Sequence, residues 1–337
     1  MIMNNIPKIT IIFPVYNQEK NILESIPSIL SQTYKNFEVV IINDGSSDKS
    51  GYICDKYAQA DGRIKVIHIP NGGISRARNL GLEHARGEIV TFVDSDDKIE
   101  PNFLQDIIDA QEKNPQSELF LTGEYLLLDK QGNKTSRRYK AKTSTVLDFI
   151  TNDHIYERAF MWSKAFLLSV IKKNNMQFDI TVKKCEDKFF VYEYLTHISK
   201  ITQIDNLGYV YRTYTESSLS KTSQEYDVEY ALLKRNEFWL KKLFNTDDIY
   251  NENVCNYICL YIYLALSSLY RMKTYKSRAY RLDAIRNIAK EFDEVIKKST
   301  RWPGGNFLLK NGYFRIFDIL AYSKTFIFQR VFKRYYS

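Results

Sequence analysis

In the first 95 residues, hydrophobic positions fall into short β-branched runs separated by segments whose apolar residues recur three and four apart. The runs are Ile9–Val15, Phe37–Ile42, Ile64–Ile69 and Ile89–Val93; the amphipathic segments are Glu19–Ser31, Asp48–Gln59 and Ser75–Ala85. This alternation predicts an α/β fold, a Rossmann-like, mostly parallel sheet with helices on both faces, because the runs are too continuously apolar for either face to be wet. After Asp97 the pattern loosens. A helix over Pro101–Glu112, a strand over Leu119–Leu128, a polar turn over Lys130–Thr135 and the block Phe160–Ser163 are expected to extend the sheet. Lys164–Lys173 and Asp187–His197 predict helices, Ile201–Tyr214 an extended segment, and Gln224–Lys298 an all-α region broken at Asn245–Asp248. The expected domains are residues 1–220, 221–300 and a tail over 301–337.

Composition fits a globular chain. Of 337 residues, 44% are hydrophobic and 26% charged, with 13 Gly and 7 Pro, which suits a sizeable core and excludes a fibre or a disordered chain. Cys54, Cys185, Cys255 and Cys259 are scattered, the nearest two standing four apart. They are expected to be reduced core thiols rather than a disulfide scaffold or zinc site. Met1–Lys8 holds no apolar stretch, so no secretory leader is expected and the chain is assigned to the cytoplasmic side. The uncharged stretch Asn253–Tyr270 is long enough to raise a membrane span, but Asn256, Ser267, Ser268 and four tyrosines favour a buried helix.

The formal charge of +8 is concentrated at one end. From Arg301 onward seven basic residues face one acid, a net +6, so an anionic surface is an expected partner. On a helical wheel over Tyr313–Ser337, Arg315, Asp318, Gln329, Arg330, Lys333 and Arg334 share one half, and Phe317, Leu320, Phe328 and Val331 the other, with Lys324 as the exception. Two readings stay open: peripheral contact with the inner face of an anionic membrane, or a terminal helix docked on its own domain or in a homo-oligomer. Nucleic acid is disfavoured, since the aromatics form an apolar face rather than a stacking platform in a basic groove.

Chemistry is concentrated after the strands, where the carboxyl-end loops of a parallel sheet converge on one crevice. Asp94-Ser95-Asp96-Asp97 places three carboxylates directly after an apolar run; such hard oxygen ligands suit Mg²⁺ or Mn²⁺, and helix capping is the equal alternative. Asp44, in Asn43-Asp44-Gly45-Ser46-Ser47-Asp48, stands ready to accept hydrogen bonds from a base or ribose, or to serve a turn. Asn71-Gly72-Gly73 leads into a helix start bearing Arg76 and Arg78, either an anion cradle or a solvated face.

Together with Pro14-Val15-Tyr16-Asn17, these loops resemble, in order and spacing, the inverting family 2 glycosyltransferases of GT-A fold, over roughly residues 8 to 220. The resemblance implies a metal-dependent transfer of sugar from a nucleotide diphosphate donor, a UDP-sugar first, to a hydroxyl of a bacterial cell-surface glycan or lipid-linked oligosaccharide. A protein-linked glycan or teichoic acid is the alternative acceptor. It implies donor contacts from Pro14, Val15, Tyr16, Asn17, Asp44, Asn71, Gly73, Arg78, Asp94 and Ser95, and a Mn²⁺ or Mg²⁺ ion on Asp96, while Asp97 is read as a helix cap. In Cys185-Glu186-Asp187 it implies Asp187 as general base, with Glu186 orienting the site or raising its pKa by like-charge repulsion. Trp162 and Lys164 fall on the family's acceptor side, with packing an equal account of Trp162, and Arg212, Ser217 and Ser218 approach the diphosphate. Tyr214 replaces a histidine of many relatives, which leaves a second protein ligand to the metal in doubt. A dehydrogenase is disfavoured, because Phe13-Pro14-Val15-Tyr16-Asn17 occupies the place of a GxGxxG turn; a nucleotide-binding scaffold without turnover stays open.

Overall fold

The computed structural model describes residues 6–127, 133–153, 159–182, 184–213, 225–244, 252–270 and 276–331. The chain divides into two compact units, Met1–Ser218 and Leu219–Ser337.

The first unit opens with β1 (Ile9–Val15), α1 (Ile22–Leu30), β2 (Phe37–Asp44), α2 (Ser50–Ala60), β3 (Ile64–Ile69), α3 (Ile74–His84) and β4 (Ile89–Phe92). Strands β3, β2, β1 and β4 lie side by side in that order, all parallel. Alternate residues serve opposite faces. Ile11, Phe13, Val39 and Ile41 share a core with Ile22, Ile26 and Ile29 of α1, while Val40 and Ile42 pack with Ala77 of α3. Helix α3 sits close to β1 because Gly81 carries no side chain: a Cβ there would lie 2.4 Å from Cγ2 of Ile12.

Beyond β4 come β5 (Lys98–Ile99), α4 (Phe103–Lys113), β6 (Leu119–Leu127), β7 (Lys134–Arg137), β8 (Lys142–Thr145), α5 (Val146–Asp153), β9 (Lys164–Leu167), α6 (Leu168–Lys173), α7 (Glu186–Leu195) and β10 (Lys200–Arg212). The sheet continues from β4 through β9, β6 and β10 to β5. Strand β9 runs antiparallel between β4 and β6. That corrects the helix expected over Lys164–Lys173. Lys164, Ala165 and Leu167 are good helix formers, yet Lys164, Ala165 and Phe166 are buried between two strands, and the backbone pairing available there overrides local propensity. Only Leu168–Lys173 is helical. Phe160–Ser163, expected to extend the sheet, precedes β9 as a turn in which Ser163 takes φ 58°.

The second unit comprises α8 (Tyr226–Phe244), α9 (Glu252–Ser268), α10 (Arg278–Glu291), α11 (Asp293–Lys298), α12 (Pro303–Lys310) and α13 (Phe314–Val331). Helix α9, the segment weighed as a span, buries Val254, Ile258, Ile262 and Leu266 in this unit's core. Among the described residues no helix is long and apolar enough to cross a membrane. Asp318 of α13 is buried against Arg281 of α10, whose Nε donates to Oδ1 at 2.7 Å, and Tyr270 donates to the same oxygen at 3.1 Å. Phe317 is buried beside Trp302, so Phe317 and Asp318, assigned above to opposite halves of the wheel, both turn inward. The side chains of Phe328, Arg330, Val331, Lys333 and Arg334 lie outside the described residues.

Candidate active site

The loop after β1 is fastened to the loop after β2. Pro14 and Val15 end β1 in register with Ile42 and Asn43. Asn17, at φ 51°, accepts from the Ser47 N–H at 2.8 Å and donates its own N–H to Ser46 Oγ at 3.0 Å. Gln18 N–H donates to Ser50 Oγ at 2.8 Å and Glu19 N–H to Asp48 Oδ2 at 3.1 Å. This pairing satisfies loop amides that no strand continues, and it leaves the Tyr16 ring 50% exposed.

Asp44 ties the second loop to the third. Its two oxygens accept from the N–H groups of Gly72 and Gly73 at 2.7 and 2.8 Å, and Asn71 Nδ2 donates to its carbonyl at 3.0 Å. The approach is tight enough to require glycine next door: Gly45 has φ +68°, and a Cβ on it would stand 2.5 Å from the Asn71 nitrogen. Asp44 is therefore buried and already engaged with the glycine pair, while Asn71 and Gly73 stay exposed at the loop's rim.

The acidic loop after β4 separates its three aspartates by partner. Asp97 is fully buried, accepting from the Arg212 N–H and the Tyr209 hydroxyl, each at 2.9 Å. Burial, then the charges of Asp96 and Asp94, push its carboxyl well above the usual range. It is not a helix cap: α4 begins at Phe103, and Asp97 instead fixes the loop to β10. Asp94 accepts from Arg78 at 3.0 Å, and its N–H donates to the Tyr209 hydroxyl at 3.2 Å. Ser95 is buried, its carbonyl accepting from Ser25 Oγ at 3.0 Å. Asp96, half-buried, lies between these two tethered acids in the chain.

Arg78 joins this loop to the acidic pair. Buried on α3, it donates from one guanidinium nitrogen to Asp94 and from the other to Glu186 Oε1 at 2.9 Å, with the Phe178 ring 5.4 Å from its centre. Asn79 secures that ring by exchanging two hydrogen bonds with the Phe178 backbone, at 2.8 and 2.7 Å. Arg78, expected to contact the donor, bridges two carboxylates of the protein with its guanidinium. Helix α7 begins at Glu186 after Cys185, which takes the left-handed conformation at φ 65°. A non-glycine residue held there is strained, a feature that clusters at functional sites. Asp187, half-buried beside Glu186, has its pKa pushed up to about 6 by desolvation and then by the Glu186 charge, with Arg78 and Lys188 opposing.

The residues assigned to the acceptor side behave differently. Trp162 is buried and stacked on Phe160 at 4.9 Å and Tyr211 at 5.1 Å, so packing accounts for it. Lys164 is buried at the start of β9. Arg212 is buried and donates to Glu24 Oε2 at 2.7 Å and Asn21 Oδ1 at 3.2 Å, both on or beside α1. Ser217, Ser218 and Tyr214 lie outside the described residues. Tyr209, Phe178 and Glu24 were not singled out from the sequence; the spacing of Tyr209 from Arg212 was the one available signal. Among the described residues no three His, Cys, Asp or Glu side chains converge as a metal cage. Cys54, Cys255 and Cys259 are free and buried.

The family model described as glycosyl transferase family 2 matches residues 10–164. The chain is 31% identical to the glycosyltransferase GlyG of Streptococcus pneumoniae over 234 residues, 66% of this chain and 75% of that one. It is 32% identical over 212 residues to EpsJ of Bacillus subtilis, an uncharacterized glycosyltransferase, and the match spans 61% of each chain. Among solved structures, S. aureus TarS in complex with UDP-GlcNAc superposes with a TM-score of 0.73 at 22% identity, covering 96% of this chain and 91% of that one. At that identity the likeness speaks for the fold.

Proposed function

Since the chain belongs to glycosyl transferase family 2, we propose that it moves a sugar from a nucleotide diphosphate donor, a UDP-sugar, to a hydroxyl of a cell-surface glycan or lipid-linked oligosaccharide, with inversion. One observation carries the reading. A single buried guanidinium holds Asp94, of the loop after β4, and Glu186, beside the proposed base, at 3.0 and 2.9 Å, so the two halves of the chemistry share one crevice. UDP as the nucleotide is supported by the UDP-GlcNAc in the TarS neighbour. In this reading the exposed Tyr16 ring and the Asp44 loop receive the nucleoside.

Asp187 takes the proton from the acceptor hydroxyl as that oxygen bonds to the anomeric carbon, and the bond from that carbon to the diphosphate breaks on the opposite side. A pKa of about 6 leaves Asp187 ionised at neutral pH and basic enough to accept that proton. Glu186 and Arg78 hold its helix against the donor loop. The donor set fits a divalent cation shared with substrate. Asp96, half-buried on the loop after β4, offers the hard carboxylate oxygen that Mg²⁺ or Mn²⁺ prefers, and an ion held there would complete its shell with phosphate oxygens and water. Such an ion supplies charge neutralisation for the departing diphosphate. A lipid-linked acceptor would be met at the inner face of the membrane.

A panel of nucleotide sugars, scored for binding and for hydrolysis with Mn²⁺, tests this. Hydrolysis of a UDP-sugar that Asp187→Asn binds but does not turn over is the expected result. Binding without turnover across the panel, with acceptor glycans supplied, would leave a scaffold rather than an enzyme.

A further inference from the structure

The docked tail presents a surface that its own unit does not cover. Phe317 and Asp318 of α13 and Leu309 of α12 face inward. Outward stand Phe307, Tyr313, Ile316, Ile319 and Leu320, each 47–57% exposed. Tyr313, Ile316 and Leu320 follow a helical stripe, and the Phe307 and Tyr313 rings lie 6.1 Å apart, so the patch runs continuously from α12 onto α13. Scattered exposed hydrophobics need no explanation, but five within fourteen residues mark a contact surface.

Charge identifies the occupant. Asp318 is the one acid between Arg301 and the C-terminus, and it is turned inward onto Arg281. The outer surface therefore carries no carboxylate from this segment, while Lys310 and Arg315 are exposed on it. The sequence adds Lys324, Arg330, Lys333 and Arg334 further along. A second copy would bring the same cationic face and repel it. We propose that the outward face of α12 and α13 docks on an anionic lipid surface, its aliphatic and aromatic side chains entering the headgroup boundary and its lysines and arginines meeting the lipid phosphates.

Sedimentation of the full chain with vesicles tests this. It should bind vesicles of equal phosphatidylglycerol and phosphatidylcholine at low salt, ignore pure phosphatidylcholine, and be released by salt as screening sets in. Each Lys or Arg near such a surface contributes about fivefold, so Lys310→Gln with Arg315→Gln should weaken binding roughly 30-fold. Ile316→Asp with Leu320→Asp should abolish it. All four positions are exposed on the helical unit and none is among the residues assigned to the transfer chemistry, so donor hydrolysis on the same preparations reports separately whether the enzyme reading stands. No binding to the anionic vesicles, unchanged binding by either double variant, or a dimer that Ile316→Asp with Leu320→Asp dissolves would overturn the proposal.

Discussion

If Asp187 is the base, the rate should fall on the acid side with a limb near pH 6, and Glu186 should help set its position. Desolvation is the largest cause of the upward shift, the neighbouring Glu186 charge the second, and Arg78 and Lys188 pull the other way. A carboxyl at about 6 is about nine tenths ionised at pH 7 and about one tenth at pH 5. Glu186→Gln removes the like charge yet keeps an amide oxygen to accept from Arg78, whose 2.9 Å bond to Oε1 holds α7 in place. The limb of kcat/KM should then move toward lower pH by on the order of one unit, because burial remains. At pH 5 the variant would retain about half of its own plateau, against about a tenth for the native chain. The plateau itself should drop, since a weaker base accepts the proton less readily.

A stability measurement supplies the control. The folded pKa of Asp187 lies above the ordinary aspartate value of 3.8, so between about pH 4 and pH 6 the native state holds a proton that the unfolded chain has released, and stability falls as pH rises through that window. Asp187→Asn deletes this cost. Its Tm at pH 7 should equal or exceed that of the native chain while transfer drops about 10²–10⁴-fold. An acid limb that Glu186→Gln leaves in place or raises, or an Asp187→Asn variant that loses both Tm and donor affinity, would refute the assignment of the base.

Three further outcomes follow from the same contacts. Asp96→Ala should keep the fold and lose both transfer and the metal-dependent part of UDP binding, measured by calorimetry with and without Mn²⁺, and Asp96→Asn should be severely impaired because an amide is a poorer ligand for a hard dication. Asp44→Asn turns one acceptor of the Gly72 and Gly73 N–H groups into a donor; it should cost about 1–3 kcal/mol in urea unfolding and weaken nucleotide binding. Asp318→Ala leaves Arg281 buried without its carboxylate and should destabilise the helical unit by about 3–5 kcal/mol, read by thermal unfolding.

The parallel half of the sheet was legible because a strand buried on both faces leaves a nearly continuous apolar run, as Ile9–Val15 does; β3 at the sheet edge, expected to be dry on both faces, instead exposes Lys65 and His68. The mixed half was not. Strands β5 and β8 span two and four residues, too few for a period to appear, and β9 is a strand because β4 and β6 stand on either side of it. The residues of the site were legible as loops and not as partners. Arg78 at a helix start after two glycines reads as an anion binder until the fold brings Glu186, 108 residues away, to its guanidinium. The three aspartates after β4 are alike in sequence, and the fold gives Asp94 and Asp97 different partners on α3 and β10. Asp97 is taken by a backbone N–H and a tyrosine, 115 and 112 residues downstream, and Asp94 by Arg78. The acidic loop is thus pinned to α3 through Asp94 and to β10 through Asp97, a tethering that depends on residues far along the chain and that no local motif announces.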